Sequence, residues 1–157
     1  MNFQTVFFRT FMARALACLL LQSGAACAEK NNISKGFDVI TYEEALEKFN
    51  EEHSDENYRC QYSLSSANEN SPLTAVEIED FIYLKKNGSI IELVGKDRDE
   101  NAGSYSSRGG ELKMSYKVLK KYNFSEHQES DDRDVEVKFS YQGKVEIVKM
   151  YGIRCGI

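Results

Sequence analysis

With 157 residues, 25 Asp and Glu against 20 Lys and Arg, and a formal net charge of −5, the chain is sized for one domain. Its acidity disfavours nucleic acid, whose binding rests on clustered Lys and Arg that release counterions. No apolar run approaches the ~20 residues of a membrane span, and His53 and His127 are the only histidines, without a G-x-S-x-G, H-E-x-x-H or glycine-rich phosphate motif to suggest catalysis.

The first 28 residues have the pattern of a cleavable export signal: Arg9 and Arg14, an apolar stretch from Ala15 to Leu21, then the small-residue run Gly24 to Ala28. Ala26 and Ala28 occupy the A-x-A positions, which predicts cleavage before Glu29; Met12 is an alternative start and acylation of Cys27 an alternative fate. Residues 29–157 keep 18 Lys and Arg against 25 Asp and Glu, a net charge of −7. Such a charge favours a basic protein partner through electrostatic steering. Cys18 and Cys27 leave with the signal, and Cys60 and Cys155 remain as a pair expected to be bonded in a periplasmic or secreted protein.

Thr41 and Glu44 form a capping box ahead of Tyr42, Ala45, Leu46 and Phe49, which predicts a helix over 42–52 with an acidic outer face. The period then changes to two. Tyr58, Cys60, Tyr62 and Leu64 alternate with polar residues as a half-buried strand does. After a polar loop ending at Pro72, the runs 76–85 and 89–95 flank Asn87-Gly88, a strong hairpin signal. Residues 96–110 lose all periodicity. Alternation resumes at Leu112, Met114, Tyr116 and Val118 and again at Val135, Val137, Phe139 and Tyr141, and Gln142-Gly143 turns the chain into a last run ending at Cys155.

These elements predict a mainly β (α+β) fold: one domain over 29–157, an antiparallel six-strand meander with one N-terminal helix and one disulfide tying first strand to last. A curled sheet or small barrel with the helix at one end removes exposed edges. The alternative is an open sheet with the helix across one face.

The segment 97–110 is the expected binding surface, because long loops on a rigid sheet often carry function. Ser104, Tyr105 and Arg108 are residue types suited to interface contacts, with Asp97, Asp99 and Glu100 beside them to steer a basic partner. Asp97, Asp99 and Asn101 also open like a calcium loop, but Ala102 and Arg108 stand where its glycine and bidentate glutamate should be, so no metal or cofactor is expected. Asn32-Ile33-Ser34, Asn87-Gly88-Ser89 and Asn123-Phe124-Ser125 are glycosylation sequons.

Tyr58-Arg59-Cys60-Gln61 near the start of the β domain, Gly103-Ser104-Tyr105 in its second half and a terminal cysteine make the chain resemble the periplasmic inhibitors of c-type lysozyme. The resemblance implies that Ser104, Tyr105 and Arg108 would enter a lysozyme's active-site cleft together. The order of residues in the loop differs from that family, the last cysteine lies farther downstream, and the family's tryptophan is absent. Export, acidity and one disulfide point to a non-enzymatic binding protein, an inhibitor or immunity-type protein that neutralises a basic enzyme such as a cell-wall hydrolase. A small-ligand carrier with an apolar cavity inside a barrel is the alternative.

Overall fold

The computed structural model describes residues 32–157. The export signal expected over 1–28, with Cys18 and Cys27, lies outside the described residues. A short 3-10 turn, Ser34–Gly36, precedes helix α1, Tyr42–Asn50. Eight strands follow: β1 Arg59–Ser63, β2 Leu73–Ile78, β3 Phe81–Lys86, β4 Ser89–Arg98, β5 Ala102–Ser107, β6 Leu112–Tyr122, β7 Ser130–Tyr141 and β8 Lys144–Gly156. Each pairs antiparallel with the next, and β1 pairs with β8, so the meander closes into a barrel.

Eight strands replace the six expected, for two physical reasons. The run 76–85 is not one strand: β2 and β3 meet at a two-residue turn, Glu79-Asp80, with Ile78 opposite Phe81. Glu79 takes a left-handed φ of 50° there, a conformation that glycine or asparagine would have announced and glutamate does not. The second added strand is β5, inside the segment expected to be structureless. Its small residues leave no apolar alternation to read, yet it pairs along its length with β4 and β6. The predicted turns at Asn87-Gly88 and Gln142-Gly143 are present, both residues of each at positive φ.

The barrel is filled by side chains. Tyr62, Ala75, Ile82, Leu84, Leu93, Tyr105, Met114, Tyr116, Val135, Val137, Phe139 and Met150 pack inside it. A second apolar cluster lies outside the wall: Val76 and Ile78 of β2 and Tyr83 of β3 meet Ile40, Ala45 and Phe49 around α1. The helix therefore covers the side of the barrel at β2–β3 instead of plugging one end, and β2 is buried on both faces. The capping box holds its start, with Thr41 Oγ1 accepting from the Glu44 amide at 3.1 Å and Glu44 Oε2 from the Thr41 amide at 3.0 Å. No helix among the described residues is long and apolar enough to cross a membrane.

Cys60 of β1 and Cys155 of β8 are bonded, across neighbouring strands at the seam where the barrel closes. A link spanning 95 residues constrains the unfolded chain by about 4 to 5 kcal/mol in the entropy model. Intact protein should weigh two hydrogens less than its reduced form, and Cys60→Ser should lower the melting temperature by ten degrees or more (about 4 kcal/mol on a domain of this size). An unchanged melting temperature would show that strand pairing alone closes the seam.

Candidate functional site

The residues singled out by sequence fall into two groups. Asp97 is exposed one residue before the end of β4, Asp99 and Glu100 form the turn to β5, and Ser104 points outward from β5. Asp99 Oδ1 accepts from the amides of Asn101 at 2.6 Å and Ala102 at 2.9 Å, so the aspartate that resembled a calcium ligand shapes the turn. Two grooves flank this turn. One, of about 530 Å³, is the barrel mouth at the disulfide end, lined by Tyr58, Arg98, Asp99, Glu100, Asp131 and Arg133 among others. The other, of about 560 Å³, runs beside Asp97, Asp99, Gly103, Ser104 and Ser115.

Tyr105 and Arg108 do not join them. Tyr105 is 1% exposed and faces the barrel interior, which overturns its reading as an exposed anchor. Alternation explains it: Ser104 and Ser106 take the outward positions of β5, leaving the inward ones to Gly103 and Tyr105. Gly103 is required there, because a Cβ at that position would lie 2.6 Å from the Tyr105 ring and 2.7 Å from that of Tyr116. Arg108 lies past β5 at the opposite end of the barrel. Its Nη2 is 2.7 Å from Glu52 and 3.4 Å from Glu92.

Sequence reasoning missed the polar centre of the barrel. Glu77 of β2 is fully buried. Tyr62 donates to its Oε2 at 2.6 Å, Tyr105 donates to its Oε1, Tyr116 reaches the same oxygen at 3.3 Å, and the Arg98 Nε lies 3.3 Å away. Burial pushes the Glu77 carboxyl above its ordinary range, while the hydrogen bonds from Tyr105 and Tyr62 pull the other way. Burial and the Glu77 charge push all three tyrosine hydroxyls upward. Arg98 carries the network to the mouth, its guanidinium 3.6 Å from the centre of the Tyr58 ring, and Arg133 continues it with a bidentate pair to Asp131 at 2.7 and 2.8 Å. Every charged group in this network has a partner, as burial requires.

The helix carries the charge asymmetry. Residues 32–58 hold eight Asp and Glu against two Lys, whereas residues 59–157 hold 16 acidic against 15 basic. Glu43, Glu47 and Glu51 follow one another at i, i+4 and i+8 and are exposed, and with Leu46 and Asn50 they line a shallow groove. The helix is fixed from below by Lys85 on Glu44 at 2.5 Å and by Arg108 on Glu52. These two cations lower the pKa of the carboxyls they touch through hydrogen bonding.

Comparison with protein-family models, with curated proteins and with solved structures gives no match. The loop implied by the resemblance to lysozyme inhibitors is also not formed. Tyrosine and arginine do not project from one loop: one is inside the barrel and the other at its far end.

Tyr105 is thus a determinant of stability. Tyr105→Phe should cost about 1 to 3 kcal/mol by leaving a buried carboxylate oxygen with only its longer contacts to Tyr116 and Arg98, and Tyr105→Ala about 3 to 5 kcal/mol; both are read from denaturant titration. Because the folded state holds the Glu77 proton more tightly than the unfolded chain does, this group's contribution is full at acid pH and falls as pH rises through its raised pKa. Glu77→Gln should therefore gain in melting temperature relative to wild type as pH rises above the ordinary glutamate range of about 4. A constant difference across that rise would mean that Glu77 titrates as in the unfolded chain.

Proposed function

We propose that this protein is an exported, non-enzymatic binding protein of the inhibitor or immunity type, and that it engages a basic protein through the acidic outer face of α1. The observation that carries the reading is the placement of charge: the acidic excess sits in the helical segment, while the barrel beneath it is close to balanced. A cleft-bearing enzyme rich in Lys and Arg, such as a cell-wall hydrolase, is the partner class that matches it. Leu46, half-buried between Glu43 and Glu47, supplies an apolar centre with a charged rim, an arrangement common in protein interfaces. The β4–β5 turn, with Asp97, Asp99, Glu100 and Ser104, is a second acidic edge available to the same partner.

A carrier role has less support. The barrel interior is occupied by packed aromatic and aliphatic side chains around a satisfied carboxylate, and the grooves of the disulfide end open outward between polar and charged residues.

Pull-down from envelope and extracellular fractions with the purified protein should yield a basic enzyme whose activity falls on binding. Glu43→Lys with Glu47→Lys should slow association at least tenfold at low ionic strength and remove most of its salt dependence, while leaving the melting temperature within about 1 degree, because both side chains are exposed. Unchanged association in that variant, alongside a loss in Asp97→Lys with Asp99→Lys, would move the interface to the β4–β5 turn. Unchanged association in both would overturn the electrostatic reading.

A further inference from the structure

Where the end of α1 meets the barrel wall, three metal-ligating side chains converge. One ligand atom each from Glu52, His53 and Glu92 lies within 4.8 Å of the other two. Glu52 and His53 follow the last turn of α1, and Glu92 points outward from β4, opposite Tyr83. Two of the three are poorly served by the protein itself. The Glu92 side chain is only 11% exposed, yet its contacts are an Arg108 nitrogen at 3.4 Å and the Tyr83 hydroxyl at 3.5 Å, both at the long limit of hydrogen bonding. The His53 Nε2 is buried without any hydrogen-bond partner. A nearly buried carboxylate with only long contacts and an orphaned imidazole nitrogen each leave free energy unrecovered, and a cation bound through that nitrogen would answer both.

We propose that Glu52, His53 and Glu92 bind a divalent transition-metal ion of the zinc class. One imidazole nitrogen and two carboxylates suit such an ion, at bond lengths of about 2.0 to 2.2 Å, with a fourth position left to water. The scaffold is partly arranged for it. The His53 ring packs against Phe81, stacked at 4.1 Å, and against Phe49 at 5.1 Å, and the Tyr83 hydroxyl lies 3.5 Å from Glu92, placed to support that carboxylate as groups around metal ligands do. Arg108 is the resident cation. Its side chain is 71% exposed, so it can swing into solvent at the small cost of a surface ion pair. The ion would pin the end of α1 to β4 independently of the role proposed for the outer helix face.

Titration of the purified protein with zinc chloride, followed by calorimetry and by thermal melting, tests this. One ion per chain and a raised melting temperature are expected, with magnesium chloride without effect. His53→Gln and Glu92→Gln should each weaken zinc binding at least tenfold, and Arg108→Ala should tighten it by removing the competing guanidinium. A localisation that needs no variant is paramagnetic broadening by cobalt in an amide correlation spectrum of the wild type, centred on residues 52, 53 and 92. Absence of binding to both wild type and Arg108→Ala, or broadening centred elsewhere, for example on the exposed His127, would overturn the site.

Discussion

A single carboxylate at the centre of the barrel constrains most of the wall around it. Glu77 is wholly removed from water, which is tolerable only with hydrogen bonds to nearly every lone pair. Its partners come from four other strands: Tyr62 from β1, Arg98 from β4, Tyr105 from β5 and Tyr116 from β6. A slip of one residue in any of these strands would turn its partner outward and strand the charge. The network thus specifies register more than it adds net stability, since a buried polar cluster roughly recovers what desolvation costs. The same demand dictates small residues nearby: Gly103 exists to let two tyrosine rings lie against the wall.

Closure follows from the other end of the chain. β1 and β8 are the edges that an open meander would expose, and their pairing, with the cystine across it, removes both. An eight-stranded barrel has an interior just wide enough for side chains to fill, and here aromatic rings and aliphatic chains fill it. With its inside committed to packing, the molecule's distinctive chemistry moves to its ends and to its one covered flank. That flank, β2–β3, is buried on the outside as well as the inside and apolar on its outer face, which gives α1 its seat.

Much of this was legible in the sequence. The capping box, the alternating runs carrying Cys60, Tyr62, Met114, Tyr116 and Phe139, the two glycine-containing turns and the cysteine pair are local signals, and each describes the structure. What local signals do not carry is the identity of a turn made at Glu79 or a strand made of Gly, Ser and Tyr. Both are imposed by neighbours: β5 is extended because β4 and β6 each offer it a ladder, not because its residues favour strands. Tyr105 was misplaced for the same reason. Its serine neighbours read as solvent, when they mark only the outward half of a two-residue period. Leu73–Ile78 held a clue to Glu77, because a mostly apolar run with apolar residues at both alternating positions marks a strand buried on both faces, and a glutamate within it must be buried and paired.

The acidic residues of the helical segment divide by direction. Glu44 and Glu52 turn toward the barrel and meet Lys85 and Arg108, and Glu56 accepts from Tyr42. Glu43 and Glu47 turn outward, one helical turn apart, with no ion pair among the described residues, and Glu51 extends their line with only the neighbouring Lys48 against it. Like charges at i and i+4 destabilise a helix by a few tenths of a kcal/mol per pair. The inner set accounts for the attachment of the helix to the barrel; the outer set contributes nothing to that attachment, Glu43 serving only the first turn of the helix and Glu51 only its pair with Lys48. Carboxylates that take no part in holding the helix to the barrel are available to a partner's cations, and this contrast between two faces of one short helix supports docking there more directly than the overall charge does.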